Sequence, residues 1–399
     1  MQPADSIRGW FPAIDQTAAP RAVPAGLDIG EIAKRANTFR ARLEKTKSEI
    51  GATDFEWYPY DSWGNLQHLD KLLKEERRFL LDLIFPASVL DIGCADGELS
   101  FFFESLGCKV QAIDWPPTNH NSMRGVKALK EALRSSVEIH TKDLDAPFSL
   151  PSQRYGLVLL LGVLYHLKNV FYVLETLARQ ARYCILSTRV ARVSPDKGTS
   201  FHRLPMAYLL DKTEANNDPT NYWIFSEAGL RRILDRAGWE ICDYMSFGNT
   251  VDSDPASWEG DERAFCFLKS RVPDAFLSIE LLRGWHALEQ GNWRWTEKRF
   301  SIAARTPVSE QPSLRLEFRL PPDLLASLGP ITLAGSANGI PLPWETYREA
   351  GAHIYACKVP AGALTGGIVR FDFELDKALP PSDLDRRELG IVVSSVRVD

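Results

Sequence analysis

The stretch that most constrains this chain is 88–97, Ser-Val-Leu-Asp-Ile-Gly-Cys-Ala-Asp-Gly. Val89, Leu90 and Ile92, broken only by Asp91, read as a short buried strand. The strand runs directly into Gly93-Cys94-Ala95-Asp96-Gly97, and Leu99 to Leu106 then carries the apolar spacing of a helix. Strand, glycine turn and helix N-terminus together make a nucleotide cradle. Glycine lets a ligand approach the backbone, and the first N–H groups of the helix point at it.

The chain beyond 88 alternates strand and helix. Lys109 to Ile113 is expected as a second strand closing on Asp114, followed by a helix over Asn121 to Arg134. Val137 to His140 gives a third strand, with Asp143 after it. Tyr155 to Leu161 is continuously apolar, as suits a strand covered on both faces of a parallel sheet. A helix over Val170 to Ala181 and a strand over Cys184 to Ser187 follow. A polar excursion, 189–222, interrupts the rhythm. Ser226 can cap a helix that stops at Gly238, and Trp239 to Met245 and Arg263 to Leu268 are the last two strands of the series. This order predicts a doubly wound, Rossmann-like α/β sheet of seven strands over residues 86–274.

Residues 1–85 form an N-terminal extension. Its first 26 residues are rich in Pro and Ala, with Trp10 as an anchor, and a polar helix is expected over 29–48. Next comes a crowded aromatic segment, Trp57-Tyr58-Pro59-Tyr60 and then Trp63. Such a segment either plugs the end of the sheet or lines a pocket. Residues 66–84 are expected as one helix, with Leu66, Leu69, Leu72, Leu73 and Leu80 on one side. From about 275 to 399 the pattern changes to short alternating runs, such as Leu314 to Phe318 and Val369 to Leu375, separated by Pro, Gly and Asn338-Gly339 turns. That is the signature of an all-β sandwich.

At 399 residues the chain exceeds one typical core, in keeping with these divisions. A net charge of −5 gives no overall basic footprint for nucleic acid. The six cysteines show neither C-x-x-C nor zinc spacing, so no metal site is expected and a reducing, cytoplasmic setting fits. No apolar run approaches the roughly 20 residues of a membrane span, and the N-terminus has no signal-like segment.

The turn D-x-G-C-x-x-G, Asp114, Asp143 and Gly162-Val163-Leu164-Tyr165-His166-Leu167, in that order, resemble class I S-adenosylmethionine (SAM) methyltransferases. The resemblance implies roles. Asp91 lies near the methionine ammonium, and Gly93, Cys94, Ala95, Asp96 and Gly97 hold the amino-acid end. Ala95 replaces a middle glycine, at a position expected to need closeness but not positive φ. Asp114 accepts from the ribose diol, and Trp115 covers the adenine. Asp143 and Leu144 meet the adenine edge, and Gly162 sits at the methyl-donor end. His166 is the candidate general base, with Tyr165 orienting; the alternative for His166 is a packed, hydrogen-bonded histidine. Asp143 could instead cap a turn, and Trp115 could be core.

Residues 54–73, with motif I and the Gly162–Leu167 stretch, are further similar to the group containing the tRNA wobble-uridine methyltransferases, over roughly residues 8–250. That likeness implies that Trp57, Tyr58, Tyr60 and Trp63 close over cofactor and acceptor. It also implies that Tyr165 matches a tyrosine that holds the extra carboxylate of carboxy-SAM, the alternative cofactor. Those enzymes follow the Tyr-His pair with arginines, where this chain has Leu167-Lys168. The excursion 189–222 is expected as an acceptor lid, with Arg189, Asn221 and Trp223 facing a polyhydroxylated acceptor; the alternative is a plain turn and cap. The C-terminal region resembles β-sandwich modules attached to bacterial surface-polysaccharide enzymes. It could recognise glycan or simply pack. The expected function is methyl transfer to a hydroxyl of a small polar or sugar-type acceptor. The alternatives are tRNA modification and a non-catalytic scaffold. The sequence leaves the oligomeric state open.

Overall fold

The computed structural model describes residues 23–398 except 52, 86–87, 151–154, 258, 273–278, 288, 290–292, 306–311, 365–367 and 384. The expected arm around Trp10 and the expected boundary at 274/275 lie outside the described residues.

Two helices precede the sheet, α1 (Ile29–Ile50) and α2 (Gly64–Leu72). A single-turn 3₁₀ segment (Glu75–Arg78) and α3 (Leu80–Leu83) lead into β1 (Ser88–Ile92). Then come α4 (Glu98–Ser105), β2 (Lys109–Asp114), α5 (Arg124–Leu133), β3 (Glu138–Thr141) and β4 (Tyr155–Leu161). After these follow α6 (Val170–Gln180), β5 (Ala181–Ala191), β6 (Ala207–Leu209), β7 (Trp223–Ser226), α7 (Glu227–Arg236), β8 (Trp239–Gly248) and β9 (Glu262–Ser270).

Strands β3, β2, β1, β4 and β5 lie side by side in parallel. Antiparallel β9 adds to β5, and β8 adds to β9. These seven strands are the layer the sequence predicts. Both faces are covered, which is why β4 reads as an unbroken apolar run. Val89, Leu157, Ile185 and Phe267 point into the core under α1, α2, α4 and α5. Their neighbours Leu90, Val158, Leu186 and Leu268 point into a second core under α6 and α7.

Two expectations are corrected. The single helix over 66–84 is broken: Leu73 and Lys74 are extended, with ψ of 131° and 156°. All five leucines are still buried. The break lets neighbouring arginines reach different partners, Arg77 to Asp243 at 2.6 Å and Arg78 to Asp28 and Asp70 at 2.7 and 2.8 Å. The fifth strand extends past Ser187 to Ala191, because β9 pairs with it from Tyr183 to Val190. Arg189 therefore belongs to the sheet and not to the excursion. Beyond the end of β4, β5 pairs with β7, and β7 with β6.

The C-terminal region is mostly β: β10 (Ile279–Trp285), β11 (Arg294–Arg305), β12 (Ser313–Leu320), a short α8 (Pro322–Leu328), β13 (Ile331–Ala337), β14 (Ile340–Pro341), β15 (Glu345–Tyr347), β16 (Gly351–Lys358), β17 (Ile368–Leu375) and β18 (Val392–Val398). One stretch of β11 pairs with β17 and its start pairs with β18, so this strand joins the two halves of the sheet. The alternating residues Leu314, Leu316, Phe318, Phe300, Ile302, Phe371 and Phe373 share one core. Asn338 and Gly339 both take positive φ, 44° and 81°, as their hairpin turn requires.

Candidate active site

The turn after β1 has the shape of a close-fitting cradle. Gly93 has φ of 69°, and a Cβ there would meet Val163 Cγ2 at 2.4 Å, so no side chain fits. Gly97 has φ of 81° and is closed in by Val126 and Phe101. Ala95 corrects the sequence reading. Its φ is 51°, so this position does call for the left-handed region and an alanine holds it at a cost. The Asp114 carboxylate holds it there, accepting from the Ala95 N–H at 3.0 Å. Cys94 is buried, and its thiol is pushed well up by burial. The first bond of α4 runs from the Phe101 N–H to the Gly97 carbonyl, which leaves the N–H groups of 98–100 without helical acceptors.

Asp91 is 5% exposed, accepts from the Ser100 hydroxyl at 2.6 Å, and lines the cavity beside the turn. Burial raises its pKa to about 6. Asp114 is also raised by burial, against hydrogen bonds from Asn119, Trp115 N–H and Ala95 N–H.

Asp96 does something other than face the cofactor. It is 1% exposed, and its carboxylate accepts from the Tyr58 N–H at 2.8 Å and from Asn121 Nδ2 at 2.7 Å. Lys47 of α1 lies 3.8 Å from Asp96 and 2.7 Å from Glu98. Asp96 is thus the clamp that ties the aromatic arm to the turn. Asp143 caps a turn, accepting from the Asp145 N–H at 2.9 Å. Leu144 is buried in the core under β4, and Trp115 is half-buried. Asp114, Trp115, Asp143 and Leu144 all lie outside the lining of the cavity beside the turn.

That cavity has a volume of about 380 Å³. It runs from Asp91, Gly93, Cys94 and Ala95 past Gly162, Tyr165 and His166 to Ser187, Arg189 and Arg263. The aromatic arm divides its labour. Tyr58 and Tyr60 line the cavity, and burial pushes the Tyr58 phenol up to about 12. Trp63 is core, 4% exposed, against Phe39 and Phe102. Trp57 packs on Phe55 and under the Lys47 ammonium, 5.3 Å from the ring. From the excursion, Asn216, Asp218 and Asn221 line the cavity. Trp223 instead donates to the Lys168 carbonyl at 3.3 Å and does not reach it.

His166 has its tautomer fixed by its neighbours. Nδ1 lies 3.1 Å from the Thr220 carbonyl and 3.0 Å from the Thr220 hydroxyl. That hydroxyl donates to Asp218 at 2.6 Å. Carbonyl and hydroxyl oxygens accept, so the proton sits on Nδ1 and Nε2 keeps its lone pair. Burial lowers the pKa below the ordinary 6.5, which keeps the ring neutral. Tyr165 lies beside it, ring centroids 4.4 Å apart.

Sequence reasoning missed Arg263, Ser187, His68 and Phe247, which also line the cavity. One signal was present for Arg263: it is in phase with Phe265 and Phe267, so a charge stands on the side of β9 that carries buried aromatics. His68 stacks on Phe247, ring centroids 4.0 Å apart, and burial lowers its pKa.

The residues at the turn fit SAM on two grounds: a glycine position that admits no Cβ, and a buried carboxylate whose raised pKa favours a cationic partner such as an amino-acid ammonium. Among known proteins, a methyltransferase-domain family model matches residues 65–244. No protein with a curated description matches the chain. Among solved structures, the chain is similar to the N-terminal domain of EvdMO1 with SAH bound, at 18% identity and a TM-score of 0.36, over 61% of this chain and 97% of that one. It is also similar to that domain in the presence of SAH and D-fucose, at 17% identity and a TM-score of 0.37, over 61% and 98%. A putative methyltransferase from Bacillus halodurans is similar at 13% identity and a TM-score of 0.35, over 57% and 98%. Residues 65–244 thus match a methyltransferase domain, with S-adenosylmethionine as its cofactor.

Proposed function

We propose that the protein methylates a hydroxyl of a small polar or sugar-type acceptor. The observation that carries this is His166, held neutral in the cavity wall with its Nε2 lone pair kept open by the Thr220–Asp218 relay. A sulfonium donor is already activated, so the protein's part is to position, to exclude water and to take a proton. Asp91 would hold the ammonium of the cofactor, and the 93–97 turn its amino-acid backbone. Asp114, fixed by Ala95 and Asn119, keeps lone pairs for the ribose hydroxyls. The cofactor supplies an electrophilic methyl group. His166 Nε2 would accept the proton of the acceptor hydroxyl as the methyl's carbon–sulfur bond breaks and its carbon–oxygen bond forms, leaving S-adenosylhomocysteine, and Thr220 would steady the imidazolium that results.

The polar side chains of the excursion support a hydroxyl-rich acceptor. Asn221 Oδ1 is buried, lines the cavity and has no hydrogen-bond partner among the described residues. A panel of sugars and small alcohols, assayed for methyl transfer from labelled SAM, tests this reading. Transfer to oxygen that collapses in His166→Ala with SAM affinity intact is the expected result. Equal turnover in the variant would remove His166 as the base, and transfer to nitrogen or carbon would remove the hydroxyl.

A further inference from the structure

Arg263 is a cation in the cavity wall with no ion-pair partner among the described residues. It stands on β9 directly opposite Arg189 of β5. Ser187 and Phe265 form the next same-face pair along, and all four line the cavity. Like charges opposite each other in a sheet repel. Arg189 is held by the Ser257 carbonyl at 2.7 Å and by Asp261 at 3.7 Å. Arg263 is different: among the described residues no carboxylate lies within 4 Å of it, and the Tyr165 ring lies 5.8 Å away.

The carboxylates that line the same cavity are all engaged. Asp61 pairs with Arg40 at 3.4 Å, Asp91 with the Ser100 hydroxyl, and Asp218 with the hydroxyl and N–H of Thr220. None turns to Arg263. What does approach Arg263 is a second donor. A Cβ placed on Gly162 would lie 3.4 Å from the Tyr165 hydroxyl and 3.5 Å from Arg263 Nη1, so phenol and guanidinium converge on the end of β4. The Ser187 hydroxyl, on the same wall, is 1% exposed and has no hydrogen-bond partner among the described residues. A guanidinium, a phenol and a buried hydroxyl converging without an acid among them match the oxygens of a carboxylate or phosphate.

We propose that Arg263 and Tyr165 form an anion receptor at the acceptor end of the cavity, so that the molecule methylated is an acid, with a carboxylate or phosphate near the reacting hydroxyl. This rests on the methyltransferase reading and narrows its acceptor to acidic sugars, sugar phosphates and hydroxy acids. The same anionic chemistry would also be presented by a donor with a carboxylate on its transferring carbon, and the test separates the two sources.

The test is calorimetry on the full chain. S-adenosylhomocysteine is bound first, and the loaded protein is titrated with inorganic phosphate, D-glucuronate and D-glucose. Phosphate and glucuronate are expected to bind, glucuronate at least ~10-fold tighter than glucose, and Arg263→Met is expected to erase that gap while S-adenosylhomocysteine affinity moves less than ~2-fold. Tyr165→Phe, which removes a single oxygen, is expected to weaken both anions several-fold and gives an answer even if Arg263→Met does not fold. Equal binding of glucose and glucuronate, or anion binding indifferent to both variants, overturns the proposal. An Arg263-dependent preference for carboxy-SAM over SAM places the anion on the donor and also overturns it. Failure of S-adenosylhomocysteine to bind the unaltered protein is a distinct result: it strikes the methyltransferase reading itself, and the proposal falls with it.

Discussion

The two ends of the cavity differ in how their polar groups are satisfied. At the turn, each buried acid has a partner inside the protein, Asp91 with Ser100, Asp96 with the Tyr58 N–H and Asn121, and Glu98 with Lys47, as does half-buried Asp114 with the Ala95 N–H and Asn119. At the β5–β9 wall, the excursion and the α2 face that packs on Phe247 and Phe265, Ser187 Oγ, Asn221 Oδ1 and His68 Nδ1 are buried with no hydrogen-bond partner among the described residues. Buried polar groups without partners are costly. An end that satisfies itself is built before anything binds, whereas an end that leaves groups open is completed by its ligand. On the proposed reading the turn, of the first kind, takes the cofactor, and the β5–β9 wall, of the second, takes the acceptor.

The largest blow to this contrast should come from Lys47. It is the cation beside two buried acids, so Lys47→Met leaves Glu98 and Asp96 uncompensated. By the usual cost of breaking a buried pair, stability should fall by about 3–5 kcal/mol in urea unfolding. Loss of under about 1 kcal/mol would show that the turn does not depend on α1.

His166→Ala comes next. A lost general base should lower turnover ~10²–10⁴-fold with SAM affinity unchanged. In the unaltered protein the base is active when neutral, and burial lowers its pKa from 6.5, so turnover should hold down to that pH and decline only below it. A decline beginning above pH 7 would contradict the neutral, Nδ1-protonated ring.

Asp91 sharpens the comparison by setting stability against function. Its pKa is raised to about 6 from 3.8, so the native state holds the proton more tightly than the unfolded chain. The carboxylate therefore costs stability as pH rises through that window, and the cost is complete above pH 6. Asp91→Asn should raise the melting temperature of the ligand-free protein at pH 8 and not at pH 4. The gain is at most about 3 kcal/mol, the full value of the shift. It should also remove most of the stabilisation that SAM confers. A variant that melts lower at pH 8 would contradict the desolvation argument.

How much of this was legible in the sequence depends on how local each signal is. The turn and the place of Asp114 beside it were legible because strand, glycine and acid follow one another in the chain, and the alternation of β1–β5 announced the parallel sheet. The helix break at Leu73 was not, because Arg77 and Arg78 bend the chain towards Asp243 and Asp28, partners far away in sequence. The partners of the Asp96 carboxylate were not legible for a related reason: the Tyr58 backbone and Asn121 come from two other segments. Tyr58 and Tyr60 on the cavity and Trp63 in the core come from one aromatic cluster, and only the path of the arm separates them. Arg263 reaches the site because β9 inserts beside β5, an antiparallel neighbour that adjacency in sequence does not reveal.

The smallest effect concerns Ala95. Its positive φ costs an alanine about 1–2 kcal/mol, which Gly removes while adding unfolded-state entropy. Ala95→Gly should therefore stabilise the chain by roughly 0.5–1 kcal/mol and leave SAM affinity within about 2-fold. Destabilisation would mean that the turn is not strained there.

The most direct test of the account is calorimetry of the purified chain with SAM, S-adenosylhomocysteine and NAD. SAM and S-adenosylhomocysteine should bind with one-to-one stoichiometry, NAD should not bind, and Asp91→Asn should weaken SAM at least ~10-fold by removing an ammonium partner. Binding of NAD alone, or SAM affinity indifferent to Asp91, would contradict it.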